Sequence, residues 1–288
     1  MEVSQIRDLI NLSDISENIW KEEHSKIMQS LSSTNFWGKQ VDLFRRAQKR
    51  SGQWILEDEK LKLWLTEHPK ICWCKGEAGA GKTFLSAIII DYLSFSMKNK
   101  NTGIAWLYVD YRERDSHTLE NFYANLLLQL FKQTGGLSKS MMKSLGSKRE
   151  EAKPSAAEYK SWLQEEVQKF DRTIIIIDAL DEMRTEELCK QLIDELQSLI
   201  PRIHLLVTSR PEVRLPIMSD DLIEIEIQPR KGDVILFIES RLQDSPLLWD
   251  HISKNPPLRD LTMDMLTKAN NRMSVKTSFL KAIGLILV

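Results

Sequence analysis

The chain has 288 residues, with 40 Lys and Arg against 41 Asp and Glu, a formal net charge of −1 and 42% hydrophobic residues. This composition excludes wholesale disorder, and the near-neutral balance supplies no general electrostatic attraction to nucleic acid. No run reaches the ~18 apolar residues that a spanning helix requires, and the first residues hold no apolar secretory core.

In chain order, residues 1–35 read as helical: Ser13 or Asp14 can cap a segment in which Ile15, Ile19, Ile27 and Leu31 recur near helical spacing. A second helix is expected over 36–50, with Trp37, Val41 and Phe44 on one side and Arg45, Arg46, Lys49 and Arg50 on a solvated face, until Ser51-Gly52 breaks it. Glu57-Asp58 opens a short helix carrying Leu61, Trp64 and Leu65, and Pro69 follows its end. From there the pattern alternates. Ile71-Cys72-Trp73-Cys74 is a short apolar strand, followed by a glycine-rich turn and a helix to about Met97. Strand is predicted over 104–110, helix over 119–131, a polar surface excursion over 135–154, and helix over 156–170. Thr173 to Ile177 is β-branched without alternation, the mark of a strand covered on both faces. Helix over 185–200 and strands over 204–207 and 222–227 complete the series. Strands alternating with helices predict an α/β fold: a five-stranded parallel sheet flanked by helices, with right-handed crossovers. Beyond Gly232 strand signals stop, and Asp233 can cap a helix through Leu242. The expected organisation is an N-terminal helical segment (1–35), a nucleotide-binding core (36–230) and a helical lid (231–288).

Three elements carry chemistry. Gly76-Glu77-Ala78-Gly79-Ala80-Gly81-Lys82-Thr83 fits G-x-x-x-x-G-K-[ST], with Phe84 next in the helix it opens. The glycines let backbone N–H groups wrap a polyphosphate, Lys82 reaches the β and γ phosphates, and the Thr83 hydroxyl ligates Mg²⁺. The second element, Ile174-Ile175-Ile176-Ile177-Asp178, is an apolar strand ending in an acid placed to hold the same metal. Asp181 and Glu182 add carboxylates beside it; Glu182, or else Asp181, would orient or deprotonate an attacking water, the alternative being a helix cap. Third, the strand Leu205-Leu206-Val207 ends in Thr208-Ser209-Arg210, where Thr208 or Arg210 either senses the γ-phosphate or locks onto the acids. The cysteines Cys72, Cys74 and Cys189 cannot pair completely and read as reduced thiols, and the five histidines show no metal-ligand spacing. No N-K-x-D base-reading motif for GTP occurs.

These elements in this order, together with Trp54-Ile55-Leu56 and Trp106-Leu107-Tyr108-Val109-Asp110-Tyr111, resemble the NACHT nucleoside-triphosphatases of the STAND signalling class. The likeness is greatest to fungal NACHT proteins whose core is described as a nephrocystin-like N-terminal domain, and it covers residues 36–245. The resemblance implies ATP or ADP with Mg²⁺, slow hydrolysis, and a strand bearing Thr208 lying between the strand of the loop and that of Asp178. It implies self-association or effector proteins as partners, while the near-neutral charge, the absence of a long apolar run and the reduced cysteines point to no nucleic acid or membrane partner and a cytoplasmic location. It also places the neighbourhood of residues 51–56 near the base and ribose, making Trp54 a candidate contact against a plain packing role. Two departures stand out: no effector domain or C-terminal repeats flank the core, so the chain reads as a truncated form. Ala269-Asn270-Asn271-Arg272-Met273-Ser274 also replaces the usual Gly-Met-Phe-like lid junction.

Overall fold

The computed structural model describes residues 36–47, 51–66, 70–98, 100–136, 141, 154–213, 221–243, 250, 253–257 and 260. The expected helix over 1–35, most of the 135–154 excursion and the 269–274 lid junction lie outside the described residues.

Five strands form one sheet: β1 (Ile71–Lys75), β2 (Thr102–Tyr108), β3 (Arg172–Asp178), β4 (Ile203–Ser209) and β5 (Leu222–Glu226), in the order β2-β3-β4-β1-β5. Every pairing is parallel. Parallel neighbours require crossovers, and the crossover helices cover both faces, which is why Ile174 to Ile177 are wholly buried without alternation. These helices are α4 (Lys82–Ser96), α5 (Leu119–Thr134), α6 (Ala156–Val167) and α7 (Glu186–Gln197). Three more precede the sheet, α1 (Phe36–Arg46), α2 (Gln53–Glu57) and α3 (Glu59–Thr66), and α8 (Lys231–Gln243) follows it. As the resemblance implies, β4 lies between β1 and β3, so the carboxyl ends of these three strands meet at one edge.

Boundaries move where side chains compete for backbone donors. Asp58 accepts from the N–H groups of Lys60 and Leu61, so it caps α3, and residues 53–57 form a separate short helix. Strand β2 stops at Tyr108, before Asp110, whose carboxylate accepts from the Arg112 N–H at 3.0 Å and begins a tight 3₁₀ turn over Tyr111–Ser116. The helix over 36–50 is described only to Arg46, and α1 is fixed where Gln40 donates to the Ala87 carbonyl of α4 and accepts from the Tyr108 hydroxyl of β2.

The free edge of β2 is closed by a device with no strand in it. Gln129 on α5 accepts from Trp106 N–H at 3.0 Å and donates to its carbonyl at 2.8 Å, and Gln133 treats Ile104 alike at 3.0 and 2.7 Å. Two amides four residues apart on one helix face thus satisfy the ladder groups that an added strand would otherwise engage.

Candidate functional site

The loop leaving β1 is shaped by its glycines. A Cβ at Gly76 would lie 2.5 Å from the Ile227 carbonyl oxygen, so only glycine passes between the ends of β1 and β5. Gly79 and Gly81 take φ of 81° and 94°, left-handed values that side chains disfavour, and Gly81 then caps α4. Its N-terminal amides face the loop, where an anion is favoured. Lys82, first in α4, folds back and donates to the carbonyls of Gly76 at 2.5 Å and Glu77 at 3.0 Å. Burial pushes the Lys82 ammonium below its ordinary pKa.

Asp178 sits at the end of β3, is 2% exposed, and is ringed by hydroxyls. It accepts from Ser86 Oγ at 2.8 Å and from Thr208 Oγ1 at 2.7 Å, and the nearby Thr83 hydroxyl favours its charged form. Thr208 in turn accepts from the Ala179 N–H at 2.9 Å, which orients its proton toward the acid. Burial raises the Asp178 pKa, and these hydroxyl donors oppose that rise. Ala179, at φ 57°, turns the chain sharply so that the next two acids diverge. Asp181 pairs with Arg210, accepting from its Nε at 3.0 Å and from its backbone N–H at 3.2 Å. Glu182 instead accepts from the Tyr111 N–H at 3.1 Å, and burial raises its pKa as well. The structure thus separates three carboxylates that the sequence set within five residues, one facing hydroxyls, one an arginine and one an amide. For Arg210, of the two roles left open, the observed contact is the lock onto an acid.

A cleft of about 800 Å³ runs from this edge along the loop. Ala78, Gly79, Ala80, Gly81, Lys82, Thr83 and Phe84 line it, as do Asp181, Glu182 and Arg210. At its far end stand Trp54 and, unanticipated, Arg46, Gln228, Pro229, Arg230, Asp233 and Phe237. Trp54 is neither fully packed nor free: its indole N–H donates to Asp233 Oδ2 at 3.1 Å, and the Arg230 guanidinium lies 3.9 Å from its ring centroid. Asp233 does not cap the lid helix as expected; it is the third residue of α8 and reaches across the cleft. Ser86 was also missed, although the Thr83-x-x-Ser86 spacing puts both hydroxyls on one helix face. No local signal marks Arg46 or the 228–230 segment, which arrive by tertiary packing. Cys72 and Cys74 are buried free thiols, in keeping with a core role.

A family model described as Nephrocystin 3, N-terminal matches residues 50–210. No curated protein matches the sequence. Among solved structures, the Aeropyrum pernix ORC1 protein in complex with DNA is similar at 14% identity and a TM-score of 0.45, over 83% of this chain and 65% of that one. Drosophila ORC bound to DNA is similar at 15% identity and a TM-score of 0.49, over 84% and 63%. A Signal Transduction ATPase with Numerous Domains protein with a tetratricopeptide repeat sensor, from Pyrococcus horikoshii, aligns at 15% identity and a TM-score of 0.41, over 79% and 32%. In each of these three the chain spans less than two thirds of the other's length.

Proposed function

The chain belongs to the nephrocystin 3, N-terminal family, and from that premise we propose that it is an ATP-binding switch of the NACHT and STAND kind that hydrolyses its nucleotide slowly. The observation that carries the reading is Asp178, a buried carboxylate at a strand end, hydrogen-bonded to Ser86 of the helix that the glycine loop opens and to Thr208 of the adjacent strand, with Thr83 of the loop motif beside it.

The donor set fits Mg²⁺. A hard cation of this size takes oxygen ligands and typically one or two carboxylates, the rest coming from phosphate and water; Thr83 on the cleft wall and Asp178, buried at the end of β3, offer such oxygens. Among the described residues no group of three or more His, Cys, Asp or Glu is arranged to hold a metal. Magnesium held there supplies charge neutralisation for the phosphate oxygens.

The chain's own groups do the rest. Backbone N–H groups of the loop and the start of α4 receive phosphate oxygens. Lys82 exchanges its two loop carbonyls for the β and γ phosphates. Glu182, made more basic by burial, takes the proton of the attacking water, and the bond between that water and the γ-phosphorus forms as the bridge to the β-phosphate breaks. Arg210 holds Asp181 out of the way. Contacts between α8 and the core change with the nucleotide, and conformation is the output. Exchange of ADP for ATP, self-association or effector proteins, and a role in fungal nonself recognition or innate immunity are the corresponding biological reading, with no nucleic acid or membrane partner and a cytoplasmic location.

A second reading, a nucleotide-holding scaffold without turnover, is favoured by the Tyr111 N–H on Glu182, which ties down one of its two carboxylate oxygens. Single-turnover hydrolysis of γ-labelled ATP separates the two. The switch predicts slow release of phosphate from wild type and a loss of about 10²-fold in Glu182→Gln. Equal, near-zero rates with tight ADP retention favour the scaffold. The raised Glu182 pKa also fixes a sign: the rate falls as pH drops through a midpoint above that of an ordinary glutamate, and Glu182→Gln abolishes that acid limb. An acid limb that survives the substitution assigns the titration elsewhere.

A further inference from the structure

We propose that Asp233 and Arg230 clasp the segment around Trp54 across the far end of the cleft, and that opening of this clasp sets the rate at which nucleotide leaves. The proposal rests on the nucleotide-binding reading of the same cleft and adds to it a residue pair that controls exchange.

The geometry is a bridge between segments about 180 positions apart in the chain. One carboxylate holds two donors: Asp233 Oδ1 accepts from the Gly52 backbone N–H at 2.9 Å, and Oδ2 from the Trp54 indole at 3.1 Å. Arg230, one residue ahead of α8, covers the same indole ring at 3.9 Å, so the ring is gripped at its edge and on its face. The far side of the bridge is anchored. Gly52 sits at φ 69°, and a Cβ there would lie 2.6 Å from Ile88 Cδ1 and 2.8 Å from Leu85 Cδ2, so the turn rests directly on α4, the helix of the phosphate-binding loop. The near side is anchored too, because Val234, next to Asp233, is only 5% exposed.

Trp54, Arg230 and Asp233 all line the cleft that contains the loop. A nucleotide with its phosphates on the loop and its base directed toward Trp54 therefore lies under this bridge. Withdrawing it requires α8 to part from residues 52–54, which breaks two hydrogen bonds to a carboxylate and one cation–π contact together. None of these three contacts touches Lys82, Thr83, Asp178 or Glu182. Release and hydrolysis are accordingly separable.

The test loads the full chain with N-methylanthraniloyl-ADP and chases it with excess unlabelled ADP, following fluorescence. Asp233→Ala is expected to speed release by about tenfold or more, as expected when hydrogen bonds to a charged group are lost. Trp54→Phe keeps the ring but loses the N–H, and should speed release by less. The double variant should be little faster than Asp233→Ala alone, because both changes remove one shared contact. Thermal melts accompany each variant; if Asp233→Ala fails to fold, Trp54→Phe carries the decision. Variants that bind the label but release it at the wild-type rate overturn the clasp alone. A folded wild type that takes up no label overturns the nucleotide reading, and the clasp with it.

Discussion

The two ends of the cleft are built in opposite ways. The loop end draws its main groups from two short runs, 76–83 and 178–182, each positioned by the strand just before it, and from the end of β4. The far end draws on residues 46, 52–54 and 228–237, distant in sequence and brought together only by tertiary packing. The first can be specified by local spacing, since a strand, a turn and a helix N-terminus fix where amides and hydroxyls point. The second depends on where α8 lands, and a change in α8 can move it without disturbing the loop. On the proposed reading, one end holds the nucleotide and the other sets its exit.

If that division is right, substitutions at the loop end should act on affinity and chemistry, and those elsewhere on stability or exchange. The largest expected effect is Lys82→Ala, which removes the cation nearest the loop and should weaken ATP binding by about 10²-fold in calorimetric titration, with little change in the circular dichroism spectrum. Unchanged affinity would remove Lys82 from the phosphate site.

Asp178→Asn is next. It should reduce Mg²⁺-dependent affinity about tenfold while leaving Mg²⁺-free binding nearly unaltered. The unliganded protein should respond in the opposite direction. Because burial raises the Asp178 pKa in the folded state, the protonated carboxyl favours folding below its unfolded pKa, and that contribution is lost as pH rises through the folded value. At neutral pH the charge is therefore a cost, and the neutral amide should raise the melting temperature of the nucleotide-free chain. A lower melting temperature would mean that the charged form is held more favourably by Thr83, Ser86 and Thr208 than burial penalises it.

The smallest effect belongs to Arg210→Ala. Arg210 is 52% exposed beside an 11% exposed Asp181, and a pair so open to water should contribute less than about 1 kcal/mol in urea titration. A loss above that range would show that the pair holds the edge of the sheet.

The same division explains what could be read in advance. Hydrophobic patterning was sufficient for β3, because four successive isoleucines can be buried only between two layers of helices. The loop glycines were equally legible, since each answers a local demand of backbone conformation or close approach. Asp178 and Thr208 could be named from their strand ends and Thr83 from the glycine motif, and the sheet order then set the Thr208 hydroxyl on the Asp178 carboxylate. Side chains acting across the chain were opaque. Gln129 and Gln133 look like polar interruptions of an apolar helix until β2 lies beside them, and Asp233 looks like a cap until Gly52 and Trp54 face it.

The sequence by itself determined the alternation of elements, the glycine bend after β1 and the acids at the end of β3, because each follows from contacts within a few residues. Tertiary structure alone decided which acid meets which partner, that α1 and α8 wall the cleft, and that Trp54 is gripped from two sides. Those outcomes rest on hydrogen bonds and packing between residues 29 to 181 positions apart, whose geometry no local pattern can encode.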